Sequence, residues 1–151
     1  FHTTPIEWDH EALCAKITRN GDDFTGDISI TSPIMKGPNP ATMILYKVIG
    51  TNKTAYYLKL NTIGRTVNVN ETSVILLFAD GSKMTKSNLI NVDAGNGNFQ
   101  YNTFIELTPA DLVKLQTKQV KKFRLFIYDQ NVPPIEAEIF THYVKCVVDK
   151  K

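Results

Sequence analysis

What this chain has little of narrows its function before any motif is read. No apolar run in its 151 residues approaches the roughly 20 that a helix needs to cross a bilayer, so no transmembrane segment is expected. A formal net charge of +2 is too small to imply a nucleic-acid partner or an anionic membrane surface. Phosphate-cradling glycine loops are missing. Neither G-x-G-x-x-G nor G-x-x-x-x-G-K-S/T occurs, and the only closely spaced glycines are Gly95 and Gly97. No serine stands in a G-x-S-x-G elbow. With His2, His10 and His142 as its only histidines, a Ser–His–Asp arrangement would need a terminal segment to carry the base.

The loop at 93–98, DAGNGN, invites a calcium reading that its spacing defeats. Counted from Asp93, the third and fifth positions are Gly95 and Gly97, and the twelfth is Phe104 where a bidentate glutamate is needed. No cofactor is expected, and the enzyme question leans to no. A pair of active carboxylates, as in a small hydrolase, is the alternative, although nothing in the sequence selects two acids over the others.

What the chain does have is a steady succession of short apolar stretches broken by Gly, Pro, Asn and Asp. With 42% hydrophobic and 21% charged residues it is globular rather than disordered. The spacing predicts a mainly β, antiparallel two-layer sandwich, as a single domain over 1–151 with a loose N-terminal segment at 1–12. Strands are expected at 13–19, 24–32, 41–49, 55–62, 73–79, 82–86, 99–107 and 120–128. Asp80-Gly81 is the strongest hairpin signal, and the lysine-bearing strand after it suits a sheet edge. Phe99 and Tyr101 are followed by Phe104, Ile105 and Leu107, a break in parity that predicts a β-bulge near Thr103.

Thr108-Pro109-Ala110-Asp111 reads as a capped helix start, giving one short helix at about 109–116. The tail alternates like a strand at 135–139 but carries a helical stripe, and a C-terminal helix at 138–148 is the preferred reading. Leu58, Leu60, Leu76, Phe78, Ile105, Leu107, Leu125 and Ile127 are the expected core. The basic cluster Lys118, Lys121, Lys122 and Arg124 reads as a solvated face.

Two patterns are candidates for a site. HEALC and HYVKC each place a histidine four residues before one of the two cysteines, a spacing that shares a face on a helix or a strand. Two separate buried thiols are the leading expectation. A Cys14–Cys146 disulfide comes next, and a zinc set of His10, Cys14, His142 and Cys146 last, because the tight cysteine pair of structural zinc sites is absent. Tyr57, Phe126 and Tyr128 point away from the inward rows of their strands and form a candidate binding surface, although burial beneath the tail or a helix is the commoner fate of such rings.

The order of the segments DDFTGDISITSP, TAYYLKLNT, SVILLFADGSK, FIELTPADLVKLQ and VKKFRLFIYD resembles small bacterial β-sandwich proteins of Bacteroides-like gut bacteria. The resemblance spans about residues 14–147 and rests on turn, cap and strand signatures. It implies the sandwich fold and an exported setting, periplasmic, lipoprotein or secreted, and offers no catalytic residues. A start on Phe1 rather than methionine is expected of a chain that is either processed or an artificially cut piece, and a removed signal peptide, though expected of an exported product, would leave no trace in it. The expected function is a non-enzymatic binding or accessory domain with a protein or carbohydrate ligand.

Overall fold

The computed structural model describes residues 9–36, 42–65, 73–88, 90–94 and 97–151. They form two antiparallel sheets and three helices, the expected β-sandwich. In the larger sheet the strands β1 (Thr18–Gly21), β2 (Ile28–Thr31), β4 (Thr42–Ile49), β5 (Thr54–Gly64), β9 (Phe99–Leu107) and β8 (Asn91–Ala94) lie side by side in that order. The two-residue β3 (Met35–Lys36) pairs with β4. The smaller sheet runs β11 (Tyr128–Asn131), β10 (Val120–Leu125), β6 (Ser73–Phe78), β7 (Lys83–Ser87), so the lysine-bearing β7 does lie at an edge.

Alternation along most of the central strands puts one row of each sheet inside. Met43, Leu45, Leu58, Leu60 and Ile105 from the larger sheet and Val74, Leu76, Phe78, Phe123 and Leu125 from the smaller are fully or almost fully buried in one core. The helix α2 (Pro109–Thr117) begins with the complete capping box. The Thr108 side chain accepts from the Asp111 amide, and Asp111 accepts from the Thr108 amide. Asp111 also pairs with Lys86 of β7 at 2.5 Å, tying the helix start to the edge of the smaller sheet.

The C-terminal helix α3 spans Pro134–Asp149, four residues earlier at its start than the helical stripe suggested. Pro134 fits a first helical turn, and Ala137, Phe140, Val144 and Val147 fall on one side at the three- and four-residue spacing of a buried stripe. Lys47, an inward residue of β4, is 7% exposed. Its ammonium donates to the carbonyls of Val148 and Lys150 at 2.8 Å each, placing a cation at the negative end of α3.

Five expectations are corrected. Residues 13–19 are not one strand: a short helix, α1 (His10–Cys14), capped by Asp9, comes first, so 10–12 are helical rather than loose, and β1 starts only at Thr18. Residues 1–8 lie outside the described residues. The expected strand 24–32 is shortened to β2, because Asp22 holds the amides of Phe24 and Thr25 in a turn. No bulge interrupts β9 where it pairs with β5. The register is continuous, the buried Thr103 fills the inward row, accepting from Asn88, and Phe104 points out. The strand 120–128 ends at Leu125, where Phe126 and Ile127 form a tight turn into β11, with Leu125 opposite Tyr128. Ile127 is therefore 62% exposed rather than core.

Candidate functional site

The ends of the described chain meet. Helix α1 packs on α3, and there Cys14 and Cys146 form a disulfide with Sγ–Sγ 2.00 Å and Cα–Cα 5.2 Å, so the expectation of two separate thiols gives way. The bond joins residues 132 apart in sequence and closes nearly the whole domain into one loop. Both histidines are at the same place. His10 Nε2 is 3.5 Å from Cys14 Sγ, and the His10 and His142 ring centroids are 6.0 Å apart. The donor atoms of His10, Cys14 and Cys146 all lie within 4.8 Å of one another. Burial, together with the charges of Lys145 and His10, lowers the His142 pKa below that of an ordinary imidazole, with Glu138 opposing.

The three outward aromatics do not gather into one surface. Tyr57 belongs to the outer row of the larger sheet, paired across to Tyr46 and Glu106. Phe126 and Tyr128 belong to the smaller sheet and pack against the core. Tyr128 stacks on Tyr101 at 5.2 Å, and its hydroxyl accepts from the Arg65 amide at 3.1 Å. Its ring passes so close to Gly64 that a Cβ there would stand 2.3 Å from a ring carbon, which accounts for glycine at that position. Tyr128 is thus committed to holding the two sheets together.

A second cluster escaped the sequence reading. On the outer face of the smaller sheet, Ile75 and Leu77 form part of the wall of a cleft of about 180 Å³, with Lys83, Lys122, Arg124 and Asp129 around it. The register explains the grouping: Lys83 and Lys122 stand on either side of Leu77, and Arg124 stands beside Ile75 and opposite Asp129. Arg124 grips Asp129 with two bonds, Nε–Oδ1 at 2.5 Å and Nη2–Oδ2 at 2.9 Å. Those bonds, then the charges of Arg124 and Lys122, hold the Asp129 pKa below the usual carboxylate value against the effect of burial. The signal in sequence is the second apolar row of SVILLF, Ile75 and Leu77, which makes that strand apolar on both faces.

The carboxyl groups with resolved shifts all move toward easier ionisation. Asp80 is lowered to about 2, chiefly by hydrogen bonds from Ser82 and then by Lys118. At Asp111 burial acts to raise the pKa, and the bonds from Lys86 and Thr108 outweigh it. Among the described residues no helix is long and apolar enough to cross a membrane. Comparison with family models, with curated proteins and with solved structures finds no match to this chain.

Proposed function

We propose that the chain is an exported, non-catalytic binding domain that takes an acidic, partly apolar protein segment on the outer face of its smaller sheet. The cleft at Ile75 and Leu77 carries this reading. It offers apolar surface beside three cations and one carboxylate, and Arg124 and Asp129 already neutralise each other. Lys83 and Lys122, on either side of Leu77, form no ion pair of their own among the described residues, so an acidic partner supplies the complement. A volume near 180 Å³ suits one or two inserted side chains rather than a whole small molecule, whose pockets are usually several hundred Å³. Among the described residues the only ring lining it, Phe123, is 2% exposed, which favours a protein segment over a sugar that would stack on an open aromatic face.

Two further observations support the reading. A disulfide between the two ends of the described chain is chemistry of an oxidising compartment, in keeping with the resemblance to exported sandwich proteins of gut bacteria and with a periplasmic, lipoprotein or secreted location. Asp80, Asp111 and Asp129 are each held ionised by donors and cations, the opposite of the raised pKa that a catalytic acid requires.

The test is an NMR titration of the isotope-labelled protein with a synthetic peptide of alternating glutamate and leucine, and with its lysine–leucine counterpart. The acidic peptide is expected to shift the methyl signals of Ile75 and Leu77, to bind more weakly as salt rises, and to lose at least about tenfold in affinity to the Lys83→Glu/Lys122→Glu variant. Equal binding of the basic peptide, or shifts confined to other faces, would overturn the reading. Cleavage of the peptide during the titration would instead favour the small-hydrolase alternative.

A further inference from the structure

We infer that the disulfide seam is the oxidised form of a tetrahedral zinc site, and that reduction of Cys14–Cys146 lets His10, Cys14, His142 and Cys146 bind one divalent zinc ion. The inference is independent of the peptide-binding reading, whose cleft is lined by residues of β6, β7, β10 and β11 and by none of these four. It rests on the number and kind of donors that converge. Each helix contributes a histidine and a cysteine one turn apart, His10 with Cys14 on α1 and His142 with Cys146 on α3. A disulfide needs only the two sulfurs, and its formation gives no reason for two imidazoles to meet beside it.

Three of the four donors already stand close to where zinc requires them. With zinc–sulfur bonds of about 2.3 Å and zinc–nitrogen bonds of about 2.0–2.1 Å, tetrahedral donors stand roughly 3.3–3.8 Å apart. His10 Nε2 and Cys14 Sγ are already 3.5 Å apart, and the donor atoms of His10, Cys14 and Cys146 lie within 4.8 Å of one another. The two imidazole centroids are 6.0 Å apart with their planes 59° to each other, so His142 stands beside His10 without stacking on it and turns toward the sulfurs to complete the set. The two sulfurs are bonded to each other, and breaking that bond lets them part to ordinary ligand spacing.

The chemistry balances with a dithiol as reductant. The dithiol passes two electrons and two protons to the S–S bond and becomes a cyclic disulfide, leaving thiols at Cys14 and Cys146. Zinc then displaces both thiol protons to solvent and is bound by two thiolates and two neutral imidazoles, a site of no net charge. Disulfide and metal are mutually exclusive occupants of the same seam, so the redox state decides which one closes the ends of the domain.

The experiment uses the whole chain, oxidised or reduced anaerobically with a phosphine, titrated with cobalt(II) as a spectroscopic probe and then with zinc(II). The reduced protein is expected to take up one equivalent of cobalt with tetrahedral ligand-field bands and thiolate-to-cobalt charge transfer, to exchange it for zinc, and to melt at a higher temperature with zinc than without. The oxidised protein should show none of these. His10→Ala and His142→Ala keep both thiols, and each should weaken zinc by more than about tenfold, because loss of even an outer-shell partner costs 10–100-fold. Should reduction unfold the chain, zinc must restore its far-ultraviolet circular dichroism. Cobalt bands that are absent in the reduced protein, unchanged by both histidine variants, or equally present in the oxidised protein would each overturn the inference, as would reduced, unfolded chain that zinc does not refold.

Discussion

At the centre of the sandwich Leu58 and Leu76 are wholly buried in rows of aliphatic neighbours, whereas the seam between α1 and α3 adds one covalent bond to the packing of Leu13. The centre spreads its stabilisation over many small, non-directional contacts, so a single truncation removes only a share of it. The seam gathers its stabilisation into a bond that a change of redox conditions can remove at once.

The largest effect separating these regions should come from reduction. The disulfide joins residues 132 apart in sequence, and loop-closure entropy for so long a loop amounts to about 5 kcal/mol. Cys14→Ser/Cys146→Ser should lose about that much in a urea denaturation without added metal, and wild type plus reductant should fall on the same curve. A loss below about 1 kcal/mol would mean that α1 is held by packing alone. Next comes the centre: Leu58→Ala or Leu76→Ala should each cost about 3 kcal/mol in the same assay, through lost transfer energy and an unfilled cavity. Because these sites act on the fold and not on the seam, their cost should be the same in oxidised and reduced protein.

Asp111 lies between the two extremes, a mostly buried carboxylate bonded to Lys86 and to the first turn of α2. Its pKa is depressed in the fold, so its contribution is complete above the unfolded value, near 4, and is lost as pH falls through the folded value. Asp111→Asn should cost about 2 kcal/mol at pH 7, below the 3–5 of a fully buried pair because the Lys86 side chain is 25% exposed. The cost should shrink toward pH 2. A penalty that stays constant across that range would assign Asp111 a packing role instead.

The same contrast governs what could be read from the sequence. Thr108-Pro109 and Asp80-Gly81 act within four residues, and the helix and hairpin they mark are where they were expected. Thr103 misled because parity was counted on hydrophobicity alone, and a threonine with an amide partner is tolerated inside. The histidine–cysteine spacing was visible, but its meaning depends on α1 and α3 packing together across nearly the whole chain. The cleft was invisible for a similar reason: Lys83, Leu77 and Lys122 become neighbours only through the register of three strands. At Phe126-Ile127 the local signal pointed the wrong way, since neither residue is a turn former and tertiary pairing of β10 with β11 overrode them.

That turn supplies the smallest and sharpest comparison. Phe126 has φ 59°, a left-handed backbone conformation that costs an L-residue with a Cβ about 1–2 kcal/mol and glycine almost nothing. Its ring partly repays this by packing on the core, 6.2 Å from the Tyr128 ring centroid. Phe126→Gly alone would mix relief of the backbone with loss of the ring. Measured against Phe126→Ala, which loses the ring and keeps the Cβ, the backbone contribution stands apart. The glycine variant should be the more stable of the two by about 1 kcal/mol in urea denaturation, less than glycine's full gain because its unfolded chain is also freer. Equal stability, or a more stable alanine variant, would show that the turn relaxes once the ring is gone and that the ring itself holds Phe126 in the left-handed region.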